Sequence, residues 1–103
     1  MFLAGHHDKV RAKFFRSQQL LELYGPDLKR PHADMLRDGI RELRVGFGGN
    51  TYRALFFFMI RDVIVITHAF IKKTDKVPDG EIDRALRYKQ DLEERVRSGE
   101  EEL

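Results

Sequence analysis

The chain has 103 residues, of which 42% are hydrophobic and 35% charged, a composition typical of one globular domain and not of a disordered segment. It has no cysteine, which excludes disulfides and thiolate chemistry, and we expect a cytoplasmic protein with no signal peptide or membrane span. The net charge is +2, but the first 80 residues carry 14 basic and nine acidic residues, whereas the remainder carries five basic and eight acidic ones. This asymmetry favours an anionic partner.

The first third of the chain predicts a helix followed by an irregular segment. Asp8 is a candidate N-cap, and apolar residues at helical spacing predict a helix over 9–24. Gly25-Pro26 ends it. Residues 27–38 read as irregular, with one short helical turn over 33–36. We expect one domain over residues 1–103, with flexible ends at 1–6 and 98–103.

The middle of the chain changes to a period of two, which predicts strands at 40–47, 51–59 and 63–71. Gly48-Gly49-Asn50 is a strong hairpin signal between the first two strands, and a tight turn near Arg61-Asp62 joins the second pair. Pro78 then starts a last helix, predicted from about Asp79 to Arg97.

Two-residue turns at these places determine which residues share a face of the sheet. They place Arg44 opposite Arg53, and Arg53 opposite Phe70. One face is then continuously apolar and is predicted to pack on the first helix. Its members are Leu43, Val45, Ala54, Phe56, Phe58, Val65, Ala69 and Ile71.

The other face of the predicted sheet divides into an apolar end and a basic end. The apolar end carries Leu55, Phe57, Ile64 and Ile66. The basic end carries Arg44, Arg53, His68, Phe70 and Lys72, with Glu42 at its edge.

Arginines directly opposite each other are unfavourable unless a carboxylate or a bound anion lies between them. Glu42 is one candidate, but it cannot neutralise Arg44 and Arg53 together with Lys72 and Lys73. We therefore predict an anion-binding face on which both guanidinium groups are accessible to solvent, with phosphate as the matching ligand.

Two segments, DGIRELRVGFGGNTYRALFFF (38–58) and HAFIKKTDKVPDGEIDRAL (68–86), resemble the phage-derived HigB-like branch of the RelE/ParE toxin superfamily. The upstream LLELYGPDLKRPHADML (20–36) also fits the helix-to-strand segment of that family. The resemblance covers most of the chain and rests on an ordered set of elements. These are Glu42-Leu-Arg44, Tyr52-Arg53 after a glycine turn, Phe70-Ile-Lys72-Lys73-Thr74, and Pro78 ahead of Glu81-Ile-x-x-Ala85.

The resemblance implies an α+β fold with a small antiparallel sheet of three to four strands, an N-terminal helix or helices on one face, and a C-terminal helix. It implies the toxin of a type II toxin–antitoxin pair, an endoribonuclease that cleaves mRNA on the ribosome. The implied partner is a HigA-like helix-turn-helix antitoxin, in a homodimer or a toxin–antitoxin hetero-oligomer. The family opens with a strand before the first helix, whereas this chain begins almost at the helix, so we expect a shortened start or a longer gene.

The resemblance also implies roles for individual residues, since the family's RNA-contact and catalytic positions match Arg44, Arg53, Lys72 and Lys73. Cleavage by a 2′-hydroxyl needs a base, stabilisation of the phosphate charge, and an acid for the leaving oxygen. The arginines suit the phosphate, although pairing with Glu42 alone remains an alternative. Lys72 or Lys73 could stabilise charge or act as the base.

Other residues of the sequence have competing interpretations. His68 is a candidate acid or base, but a histidine within an apolar strand is more often packed in the core. Phe70 and Lys76 are candidate RNA contacts, and Tyr88 is a weaker catalytic candidate. Phe56-Phe57-Phe58 is expected to alternate between two faces. His6-His7 has no second ligand cluster, so we predict no metal and no cofactor.

Two further functions stay open from the sequence. One is a ParE-like toxin that binds gyrase and has no nuclease activity. The other is a non-catalytic basic binding module, an inactive phage remnant. The clustered Arg and Lys residues favour the endoribonuclease, because phosphate suits such a face better than a protein groove does.

Overall fold

The computed structural model describes residues 8–59, 63–72 and 76–101, except for the side chains of residues 8–10 and 47. Its four strands form one antiparallel sheet in the order β1-β2-β3-β4, which confirms the α+β fold. The elements in chain order are α1 (Asp8–Tyr24), a 3-10 turn (Gly25–Asp27), β1 (Ala33–Arg37), β2 (Ile40–Phe47), β3 (Asn50–Phe58), β4 (Ile64–Lys72) and α2 (Asp79–Arg97).

Strand β1 occupies the segment for which the sequence predicted a helical turn at 33–36, so that prediction is wrong. Asp38 and Gly39, with φ of 53° and 82°, form a two-residue turn that pairs Arg37 with Ile40. Asp-Gly is a preferred pair for such a turn because both positions need positive φ. The turn folds this short segment back against β2 as an edge strand.

The β2–β3 hairpin has the predicted register. Gly48 and Gly49 adopt φ of 60° and 80°, and Phe47 pairs with Asn50. Arg44 therefore lies opposite Arg53, as predicted.

The β3–β4 pair contains a bulge that the sequence reading did not anticipate. Leu55 pairs with His68, but its neighbour Phe56 pairs with Ile66, which leaves Thr67 as the extra residue. The Thr67 hydroxyl donates a hydrogen bond to the Leu55 carbonyl oxygen at 3.2 Å. The predicted turn at Arg61-Asp62 lies outside the described residues.

The bulge changes the face of the sheet on which some side chains of β4 lie. Beyond it, Ile64 packs with the α1 side of the sheet and Val65 with the α2 side, the reverse of the prediction, and Ile66 pairs with Phe56 on the α1 side. On the other side of the bulge, Arg53 still lies opposite Phe70, as predicted.

The two helices cover opposite faces of the sheet. The α1 side buries Phe14, Leu21, Leu28, Ala33, Leu43, Val45, Tyr52, Ala54 and Phe56. The α2 side buries Ile40, Leu55, Phe57, Val77, Ile82 and Ala85. Phe56 and Phe57 thus enter different cores, as the alternation of a strand requires. Within the described chain, neither α1 nor α2 has the length and apolar character needed to cross a membrane.

Candidate anion-binding face

A chain of alternating charges crosses the α2 side of the sheet from β1 to β3. Arg30 Nη2 contacts Asp34 Oδ2 at 2.6 Å, and the same oxygen lies 3.3 Å from Arg44 Nη2. Arg44 Nε donates to Glu42 Oε1 at 2.7 Å, and Glu42 Oε2 lies 3.3 Å from Arg53 Nε. We call these five residues the ion chain. It holds three cations and two anions, so one positive charge remains uncompensated.

Glu42 and Arg53 form the enclosed end of the ion chain. The Glu42 side chain is 1% accessible and that of Arg53 is 8% accessible. The predicted solvent accessibility of Arg53 is therefore wrong, although its predicted placement beside Arg44 is confirmed. Burial lowers the pKa of Arg53 and the charge of Arg44 lowers it further, while Glu42 opposes both. Arginine stays protonated despite this shift, so Glu42 compensates a buried charge.

The opposite end of the ion chain is open to solvent. Arg30 is 71% accessible, Asp34 is 29% accessible, and Arg44 lies between the two ends at 23%. The hydrogen bond from Arg30 is the largest cause that lowers the pKa of Asp34, with smaller contributions from the Met35 backbone N–H and from Arg44. Arg44 is thus the arginine of the pair whose side chain remains within reach of a ligand.

Phe70 and Lys72 of β4 lie on the same face of the sheet as Arg53. Phe70 pairs with Arg53, and Lys72 pairs with Thr51 in the next row. Both side chains are partly buried. Lys76, another predicted RNA contact, is exposed on the segment before α2. Lys73 lies outside the described residues.

His68 is enclosed between β4 and α2. Its side chain is 7% accessible, and Nε2 lies 3.7 Å from Glu81 Oε1, too far for a hydrogen bond. Nδ1 is 3.0 Å from the Thr67 hydroxyl oxygen. Burial lowers the pKa of His68 below its ordinary value of 6.5, the charge of Arg84 lowers it further, and Glu81 opposes both. This environment favours the packing role over catalysis.

Tyr88 and Arg84 of α2 lie on the solvent side of His68. The Tyr88 ring centroid is 6.2 Å from that of His68, and Tyr88 is 43% exposed. Arg84 Nη2 donates to the Tyr88 hydroxyl at 3.3 Å and its guanidinium carbon lies 5.7 Å from the ring centroid. The sequence reading did not single out Arg84. Its spacing of four residues from Tyr88 was visible, but which face of α2 meets the sheet was not.

The arrangement has the chemistry of an anion site only at its open part. Arg44 and Lys72 present donors on one face, whereas Arg53 and His68 are enclosed. The α+β fold is consistent with a RelE-like fold: a four-stranded antiparallel sheet, an N-terminal helix and a C-terminal helix.

The chain belongs to the phage-derived Gp49-like protein family (DUF891), whose family model matches residues 1–90. This family is a RelE/ParE-like toxin family, so the superfamily inferred from the sequence is confirmed. A search of curated proteins finds no match for the chain.

Proposed function

We propose that this protein is the toxin of a type II toxin–antitoxin pair and a HigB-like endoribonuclease that cleaves ribosome-bound mRNA in the cytoplasm. Family membership supports the toxin class. One observation carries the nuclease assignment: Arg44 and Arg53 lie directly opposite each other on β2 and β3, and the Arg44 side chain remains partly accessible. Adjacent guanidinium groups match the oxygen atoms of a phosphodiester.

Arg44 is the residue to which we assign the phosphate, because 23% of its side chain is accessible against 8% for Arg53. Its donors would stabilise the charge that develops as the 2′-hydroxyl attacks. We assign Arg53 a positioning role: with Glu42 it fixes the orientation of Arg44. Lys72, on the same face, supplies a second charge, and we propose the same role for Lys73.

The remaining RNA contacts and the proton transfers follow from position. We propose that Phe70 contacts a base of the RNA and that Lys76 contacts the RNA where it leaves the site. Tyr88 is the better-placed acid because it is 43% exposed, whereas the His68 side chain is 7% accessible. The enclosed position of His68 suits a packing role, so we assign it no proton transfer.

One observation favours a second candidate, a non-catalytic binding protein. Arg44 and Arg53 both already contact carboxylates, so a bound phosphate would have to compete with Asp34 and Glu42. The same observation suits a ParE-like toxin that acts on gyrase, because such a toxin needs no phosphate site between these arginines. A HigA-like antitoxin is the proposed partner of a toxin of either kind.

The deciding experiment tests one protein preparation for two activities. Purified protein is added to ribosomes programmed with a defined mRNA, and cleavage is mapped by primer extension; the same protein is added to a gyrase supercoiling assay. We expect mRNA cleavage that needs the ribosome and no effect on gyrase. Gyrase inhibition without cleavage supports the ParE-like alternative, and inactivity in both assays supports the binding module.

Expression in cells provides the matching physiological readout. Induction of the wild type should arrest growth, and co-expression of a helix-turn-helix protein encoded beside the gene should relieve the arrest. Arg44→Ala should abolish the arrest. Arg97→Ala, which removes an exposed arginine at the end of α2, is the matched control and should arrest growth like the wild type.

A further inference from the structure

A second cationic surface lies outside the contacts of the ion chain, in a groove between α1 and the end of β2. The groove encloses about 190 Å³. It adjoins the part of β2 that extends past Leu43, the last residue of β2 that pairs with β1. We call it the basic groove, and its lining includes Lys13, Arg16, Ser17, His32, Arg44 and Gly46.

The described lining of the basic groove includes the cationic side chains of Lys13, Arg16 and Arg44. Among the described residues that line it, none has a carboxylate. Arg16 is exposed and has no hydrogen-bond or ion-pair partner in the described part of the chain, unlike the arginines of the ion chain. Arg44 belongs to both places, because it contacts carboxylates and also lines the groove.

Two hydrogen bonds join β2 to the other walls of the basic groove, one from α1 and one to the segment before β1. Lys13 Nζ donates a hydrogen bond to the Gly46 carbonyl oxygen at 3.0 Å, which ties α1 to the strand. The Arg44 backbone N–H donates to the His32 carbonyl oxygen at 2.8 Å, which fixes the segment that precedes β1. A Cβ atom at Gly46 would meet nothing within 4 Å, so the space beside this residue is open.

These features match a nucleic-acid backbone better than a protein. Phosphates are bound by Arg, Lys and Ser side chains together with backbone groups, which is the composition of this lining. Protein interfaces instead concentrate aromatic residues and deplete lysine at their centre. We infer that the basic groove binds a backbone phosphate of RNA next to the phosphate that contacts Arg44. This inference deepens the proposed function and rests on it.

The test measures binding without cleavage. Fluorescence anisotropy with a labelled single-stranded RNA oligonucleotide, without ribosomes, gives the Kd over a series of KCl concentrations. Losing one phosphate contact lowers the slope of log K against log salt by about 0.7 for a single strand, which corresponds to a Kd roughly fourfold higher near 0.15 M salt. We expect this of Arg16→Ala, and a larger loss from the charge reversal Arg16→Glu.

The matched control is Arg87→Ala, which removes one exposed arginine from α2 and should leave the slope and the Kd unchanged. The inference is overturned if Arg16→Ala binds RNA like the wild type, or if the wild type shows no salt-dependent binding. It is also overturned in favour of an acidic protein if polyglutamate, at equal charge, displaces RNA from the wild type more readily than unlabelled RNA does.

The binding assay and the ribosome assay can reject the two proposals separately. If the wild type binds RNA through Arg16 but cleaves no mRNA, the nuclease proposal is rejected and RNA binding in the basic groove is supported. If the wild type cleaves mRNA but Arg16→Ala binds RNA as tightly as the wild type, RNA binding in the basic groove is rejected and the nuclease proposal is supported.

Discussion

Replacing Glu42 with Gln tests whether this carboxylate compensates a buried charge. Glu42 is 1% accessible and lies 2.7 Å from Arg44 and 3.3 Å from Arg53, whose side chain is 8% accessible. Glutamine has nearly the same shape and retains one acceptor, but it leaves Arg53 buried without a counter-charge. Removing one partner of a buried pair costs about 3–5 kcal/mol. We expect the lower end, about 3 kcal/mol, because Arg44 can move toward solvent.

For a domain of this size, 1 kcal/mol changes the Tm by roughly 4–8 °C, so Glu42→Gln should lower the Tm by about 12–24 °C. Thermal and urea unfolding followed by circular dichroism measure the change. Asp83→Asn is the matched control, because it removes the carboxylate that lies 2.8 Å from Arg37 Nη2 in an exposed pair, 39% and 55% accessible. That variant should lose less than about 1 kcal/mol. A Glu42→Gln protein no less stable than Asp83→Asn would refute the reasoning.

Three further predictions concern β4 and α2. Because burial depresses the pKa of His68 below 6.5 in the folded protein, the unfolded chain binds more protons below that pH. The Tm should therefore fall as pH decreases below 6.5, and His68→Asn should reduce that dependence in melts at several pH values. Thr67→Val should cost about 1 kcal/mol in urea unfolding by removing the hydrogen bond to the Leu55 carbonyl, while Thr67→Ser should not. Tyr88→Phe should leave the Tm unchanged but slow mRNA cleavage at least about 100-fold if the hydroxyl is the acid; an unchanged cleavage rate rejects that role.

The pairing of Arg44 with Arg53 and of Arg53 with Phe70 could be predicted from turns alone. Gly48-Gly49 fixed the first hairpin, since only a two-residue turn pairs Phe47 with Asn50. The pairing of Arg53 with Phe70 was predicted correctly although the predicted β4 had no bulge. The pairs beyond Leu55 differ by one residue from the prediction, and the bulge at Thr67 restores the predicted register beside Arg53. A single extra residue has no signature in the hydrophobic pattern, so Ile64 and Val65 were placed on the wrong faces.

Burial of the predicted basic end could not be predicted from the strand pattern. Register placed Glu42 near the arginines, but how far a side chain is covered depends on tertiary packing around the sheet. If the two opposed arginines had no carboxylate beside them, Arg53→Ala would keep or raise stability by relieving their repulsion. With Glu42 beside both guanidinium groups, we now expect that substitution to lower stability. A signal for β1 was present in the Asp38-Gly39 turn, but the strand has only five residues, too few for the regular alternation that identifies longer strands.

The measurement that tests the central claim most directly is the rate of ribosome-dependent mRNA cleavage by Arg44→Ala. Removing one oriented donor to a developing phosphate charge lowers such rates by about 10²–10³. We predict a loss of that size in protein that circular dichroism shows to be folded, with Arg97→Ala cleaving like the wild type. A folded Arg44→Ala protein that cleaves mRNA at the wild-type rate would contradict the account.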